Sequence, residues 1–186
     1  MANVTLNQHA LSDVSCVEIV DADSNSYIFE TSDEVSVEEI VDEGEEQTLK
    51  IKGKLYANRA AEDTVLGYDL TFKDNVMCPE LLLLMQGGTL TPGERGAWTK
   101  YEPPKIGTSA TKKTFTTNIY TAEVSTDGDT GNYIKISYPG CKGSSVPMTF
   151  KDGEYYSNEY KVKSRPAKGN APYTVTIVTD LPSATQ

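Results

Sequence analysis

The chain reads as a mainly β protein: a β-sandwich or Greek-key barrel of about ten strands, with one short flanking α-helix at about residues 79–86. Three observations predict this. Apolar and polar residues alternate with period two in many short runs, such as Tyr68–Lys73. The runs are separated by turn chemistry, in DADSNS, DGDTGN, PGCKGS, KDG and RPAKGNAP. A single compact stretch, PELLLLMQ, carries a helical start and stop.

Taken in order, Met1–Ser12 reads as an extended N-terminal arm. Val14–Val20 and Tyr27–Glu30 are short strands joined by DADSNS. Glu34–Val41 begins as an alternating strand, with Val35 and Val37 on one face and Glu34, Ser36 and Glu38 on the other. The Glu38-Glu39 doublet breaks the alternation, as at a bulge or strand end. Asp42–Glu46 is an acidic turn, and consecutive acids in a turn are more often solvated than calcium-bound. Leu49–Tyr56 is the cleanest alternation: Leu49, Ile51, Gly53 and Leu55 on one face, Lys50, Lys52, Lys54 and Tyr56 on the other. Its lysines would either pair with the acidic strand before it or face solvent and protect an edge.

The chain is organised around Gly67–Gly88. Tyr68, Leu70 and Phe72 alternate with Asp69, Thr71 and Lys73, and Asp74-Asn75 ends the strand. Pro79 suits the first helical position and Glu80 the positive end of the helix dipole. Gly87-Gly88 supplies the stop. The helix between them has almost no polar face and is too short to be stable alone. It must be buried on several sides, by its own chain or by a neighbouring subunit.

Residues 89–113 lack clear periodicity and read as a long loop or arm, carrying Trp98, Tyr101 and Pro103-Pro104. Phe115–Ser125 is a long strand covered on both sides. Asp127–Asn132 is a hairpin turn; as an EF-hand loop it fails, because Asn132 stands where glycine is needed and Tyr138 where the closing glutamate belongs. Tyr133–Tyr138, Val146–Phe150, Tyr155–Lys163 and Tyr173–Val178 follow as strands, and Ser183–Gln186 is a polar tail.

With 186 residues and no internal repeat, the chain fits one domain spanning 1–186. No segment approaches the roughly 18 apolar residues of a membrane span. The N-terminus shows neither a basic region nor an apolar run, so the expectation is synthesis and retention in a cytoplasm. Cys16, Cys78 and Cys141 are far apart and form no CxxC motif; they read as reduced packing residues. His9 is the one histidine, so a Ser-His-Asp site would depend on it alone. No metal-hydrolase, nucleophile-elbow, phosphate-loop or dinucleotide motif occurs. The chain reads as non-enzymatic, with no catalytic, cofactor or metal residues.

Net charge is −10, unevenly spread. Residues 1–49 hold 13 acidic and no basic side chains; the remainder holds 14 acidic and 17 basic, or about −13 followed by +3. DNA gripping would need a basic patch. A protomer with acidic and basic parts instead suits contact between copies.

Three segments resemble the major tail (tail-tube) proteins of long-tailed bacteriophages. They are Gly67–Gly88, with its Pro-Glu-Leu-Leu and Gly-Gly; Pro139-Gly140-Cys141-Lys142-Gly143 running on to Lys151-Asp152-Gly153; and the C-terminal SRPAKGNAPYTVTIVTDLP, Ser164–Pro182. They follow one another in the family's order; the acidic first quarter and the 89–113 arm match nothing in it. The resemblance implies a β-sandwich protomer with a flanking helix, needing no cofactor. Six copies would form a ring, and rings would stack into a tube through which DNA passes without specific binding. Partners would be further copies and other tail proteins at the tube ends. The chain would be a virion component assembled in the host cytoplasm.

Expected subunit-interface residues are Leu81, Leu83, Leu84, Met85, Trp98 and Tyr101. For charge complementarity between copies the candidates are Glu38, Glu39, Asp42, Glu43, Glu45 and Glu46 on the acidic side. On the basic side they are Lys105, Lys112, Lys113, Lys161, Lys163 and Arg165. The alternative is a monomeric or small-oligomer β-sandwich for adhesion or carbohydrate binding, its eleven tyrosines lining a groove.

Overall fold

The structure is a computed structural model that describes residues 8–29, 34–94 and 98–183. Among these lie thirteen strands and one helix. In chain order they are β1 (Ala10–Asp21), β2 (Ser26–Phe29), β3 (Val35–Asp42), β4 (Gln47–Ile51), β5 (Lys54–Arg59), β6 (Thr64–Asp74) and α1 (Pro79–Gln86). Then come β7 (Thr89–Pro92), β8 (Trp98–Glu102), β9 (Phe115–Ser125), β10 (Gly128–Gly143), β11 (Met148–Thr149), β12 (Ser157–Ser164) and β13 (Thr174–Val178). Most of the N-terminal arm, the end of the strand read over Tyr27–Glu30 and the last residues of the tail lie outside the described residues.

One antiparallel sheet dominates, with neighbours in the order β2-β1-β9-β10-β12-β6-β3; β13 flanks β10, and β11 flanks β12. It does not close into a barrel. It folds back so that its two ends share one interior, the sandwich-like of the two expected arrangements. Phe29 on β2 meets Phe72 on β6 at 5.2 Å between ring centroids and Tyr160 on β12 at 6.5 Å. The alternation of β6 decides which side chains enter: Leu70 and Phe72 are fully buried opposite Val162 and Tyr160.

The corner is made in β10. This strand pairs with β13 over Tyr133–Ser137 and takes β12 as neighbour from Cys141 to Gly143. Between them its register against β9 shifts, and Gly140 sits at φ +66. PGCKGS, expected as a turn, is therefore a bulged continuation of β10. The residues that permit a chain reversal also permit a strand to bend and change sheets.

Two further expectations are corrected. Leu49–Tyr56 is not one strand: Lys52 and Gly53 adopt φ +49 and +78, a two-residue hairpin turn, and Ile51 pairs with Lys54. Among the described residues the hairpin β4–β5 pairs only with itself, and every one of its residues is exposed. Its lysines therefore do not pair with the acidic strand β3. Residues 89–113 are also not structureless: β7 and β8 form a second hairpin. The bulge expected at Glu38-Glu39 falls two residues later, between Ile40 and Val41.

Candidate interaction surfaces

Helix α1 lies against the folded sheet. Pro79 opens it, and the Gly87 N–H closes it on the Leu83 carbonyl at 2.9 Å. Leu81, Leu82, Leu84 and Met85 are all buried in the chain's own core, beside Phe115, Tyr138 and Cys141. Full burial stabilises by about 2 kcal/mol per side chain. The helix therefore needs no neighbouring subunit to cover it; Leu81 and Met85 are withdrawn from any external surface, and Leu84, 7% exposed, meets the exterior only at one cleft. Leu83 alone of the four leucines is half-buried, on the wall of a cleft of about 250 Å³ shared with Tyr27 and Lys113. Tyr101 is half-buried and donates its hydroxyl to the Gly87 carbonyl at 2.6 Å, fastening the β7–β8 hairpin to the helix end. Trp98 is 45% exposed.

The charged candidates divide by position. The register sets Glu38, Asp69, Lys163 and Lys142 in one row across β3, β6, β12 and β10. Acidic and basic strands thus share one sheet, with β6 between them. Several of these charges are already used within the chain. Arg165 donates to Asp69 at 2.7 Å and to the Tyr68 carbonyl at 3.0 Å. Lys161 pairs with Glu159 at 2.9 Å. Lys113 pairs with Asp23 at 2.8 Å, and Lys112 donates to the Gly143 carbonyl at 2.8 Å. The Tyr68 hydroxyl donates to Glu39 at 3.1 Å. Lys105 lies exposed in a turn closed by Thr108.

What remains is asymmetric. Asp42 at the end of β3 and Glu43, Glu45 and Glu46 after it are all exposed, and none has an ion-pair partner among the described residues. Glu46 accepts one hydrogen bond, from Asn58 at 2.6 Å. On the basic side Lys142 and Lys163 stand directly opposite each other, both exposed, and neither has a carboxylate within ion-pair distance among the described residues. With Lys112 and Arg165 they border a groove of about 820 Å³ floored by Gly140 and Gly143. Lys142 was not among the expected residues. Its segment reads as a turn, and nothing in the sequence places it across from Lys163.

A buried polar network anchors the middle of the sheet. Glu18 on β1 accepts hydrogen bonds from Ser26 at 2.7 Å and from Asn118 and Tyr120 at 2.8 Å each. Burial alone would raise its pKa. The three hydrogen bonds, helped by the charge of Lys135, outweigh that and hold the carboxyl below the ordinary glutamate range. Burial and the neighbouring carboxylate push the Tyr120 phenol up. Near the start of β1, His9 pairs with Glu123, which also accepts from Asn132 and Thr130; these bonds bring Glu123 down to about 2.

Among the described residues no three His, Cys, Asp or Glu side chains come together as a metal site, and no helix is long and apolar enough to cross a membrane. No protein-family model matches the chain, and no curated protein matches it. Among solved structures it is similar to a chain of the cryo-EM structure of the anti-feeding prophage baseplate, six-fold symmetrised. The identity is 9% and the TM-score 0.37, over 97% of this chain and 100% of that one. A TM-score of 0.37 is too low for the similarity to bear on function.

Proposed function

We propose that this chain is a structural virion protein of a long-tailed phage. It self-assembles into hexameric rings that stack as the tail tube, and DNA passes through the lumen without specific binding. Residues 1–186 act as one tail-tube unit without catalysis, and other tail proteins meet the tube at its ends.

One observation carries the reading: the three segments that resemble tail-tube proteins form one contiguous unit. Gly143 backs onto Met85 so closely that a methyl group there would overlap the helix backbone. The Val146 N–H donates to Gln86 at 3.1 Å. Gly67 is pressed against Ser164 and Arg165, and the Arg165 N–H donates to the Gly140 carbonyl at 3.2 Å. Tyr68, Tyr138 and Tyr173 pack in a tilted and edge-on cluster with centroids 5.5–5.7 Å apart. Three short likenesses that interlock in this way support reading them as parts of one unit. Uncovered apolar side chains on β4–β5 (Leu49, Ile51, Leu55) and on β13 (Val175, Ile177) add support for self-association.

Electron microscopy of the concentrated purified protein tests the proposal. Rings or tubes with an open channel are expected. Uniform monomers or small closed oligomers that bind glycans would replace the tube with the adhesion-module alternative.

A further inference from the structure

We propose that the basic groove between β10 and β12 receives the acidic segment 42–46 of a second copy, in a head-to-tail contact. The inference deepens the self-assembly reading and rests on it.

The groove is built against its own stability. Like charges directly opposite on neighbouring strands repel, yet Lys142 faces Lys163 and neither has a described carboxylate within ion-pair distance. The nearest acid in the row, Asp69, is already held by Arg165 at 2.7 Å. Lys112 adds a third ammonium at the groove wall, its other contact being the Gly143 carbonyl. Such a surface lacks an anionic counterpart among the described residues.

The segment 42–46 has the matching character. It presents four carboxylates in five residues, all exposed. It is also held in place: a Cβ on Gly44 would lie 2.7 Å from the Glu62 carbonyl oxygen, so the turn is backed by the 60–62 segment. Arg59 lines the same surface as Glu45 but forms no ion pair among the described residues. Glu62 and Asp63 extend the acidity.

The two features do not satisfy each other within one chain. Asp42 pairs with Thr64, while Lys163 pairs with Asp69, five residues along the same strand. At about 3.3 Å per residue that is roughly 16 Å, and β3–β6 pairing, broken only by the bulge between Ile40 and Val41, holds the interval open. An acidic tip and a basic groove held apart on one sheet meet only between copies. Joined head to tail the contact is heterologous and repeats as a ring or an open stack, whereas reciprocal exchange of the two surfaces would close a two-fold dimer that sedimentation reads as a single small species.

A charge exchange tests this. The groove is reversed with Lys142→Glu and Lys163→Glu, and the tip with Glu43→Lys, Glu45→Lys and Glu46→Lys. Because Lys163→Glu sits beside Asp69, a neutral pair, Lys142→Gln with Lys163→Gln, guards against loss of fold. Circular dichroism confirms folding, and sedimentation velocity reads association at low salt. The wild type is expected to associate and to dissociate as salt rises. Each reversed chain alone should need at least about tenfold more protein to associate, the neutral pair should fall between, and an equimolar mixture of the two reversed chains should recover association. Association unchanged by the reversals, a mixture that stays monomeric, or a wild type monomeric at every concentration overturns the proposal. Microscopy separates the two readings. Hollow tubes indifferent to the reversals would remove the groove contact and leave the tube. Channel-free chains that the reversals abolish would keep the contact and remove the tube.

Discussion

Glu18 shows how one residue ties the sheet to pH. A carboxylate with three donors in the middle of β1 is stable only while ionised, because protonation removes acceptors that Ser26, Asn118 and Tyr120 need. Glu123, held at about 2 chiefly by His9, behaves the same way. Both carboxyls lie below their ordinary value of 4.5, so the stability they contribute is complete above pH about 4.5 and declines as pH falls toward 2. Denaturant midpoints measured from neutrality down to pH about 2 should fall over that window. Glu18→Gln should cost about 2 kcal/mol at neutral pH and flatten the decline. An acid limb unaltered by Glu18→Gln would show that other carboxylates govern it.

At the scale of elements, α1 makes the sharpest prediction. Both Leu83 and Leu84 border the cleft beside Tyr27, but Leu84 is only 7% exposed and packs in the core, whereas Leu83 is half-buried. Leu84→Asp should destabilise the fold by at least about 3 kcal/mol, since it removes core packing and buries an unpaired charge. Leu83→Asp should cost under about 1 kcal/mol. Thermal unfolding compares them, and equal losses would mean that the cleft beside Leu83 is closed in solution. Here the sequence was informative: Pro79, the leucine run and Gly87 set both ends of the helix, and the period of Tyr68–Lys73 set the core face of β6. It was misleading where one residue pair serves two geometries. Lys52-Gly53 reads as part of an alternating strand because lysine rarely takes positive φ, yet both residues do so in the turn. Pro139-Gly140 reads as a turn and is a bulge. The basic groove was half legible: Lys163 and Arg165 stand out as a cluster, but Lys142 joins them only through the β10–β12 register, a non-local pairing that periodicity does not encode.

For the whole molecule, the uneven charge along the sequence becomes an uneven charge in space. β3 runs out past the sheet into the acidic segment, and the cations gather behind it around the corner of β10. The groove contact gives a stack built this way a direction. One terminus shows unmatched carboxylates, the other unmatched ammonium groups, and a protein that ends the stack needs the opposite sign at each.

The β4–β5 hairpin has a consequence of another kind. Lys52 sits at the tip of a turn whose flanking residues bury nothing, and Lys50 and Lys54 stand beside it. Trypsin should therefore nick the native chain here first. The nick would leave fragments 1–52 and 53–186 clasped by the ladders β3–β6 and β1–β9. On a denaturing gel they should run as two bands; on a native sizing column they should travel as one. Fragments that separate on the column would mean those ladders do not hold without the covalent link. If they stay together, the chain can be supplied as two separately made pieces that find each other, with the hairpin tip as the seam.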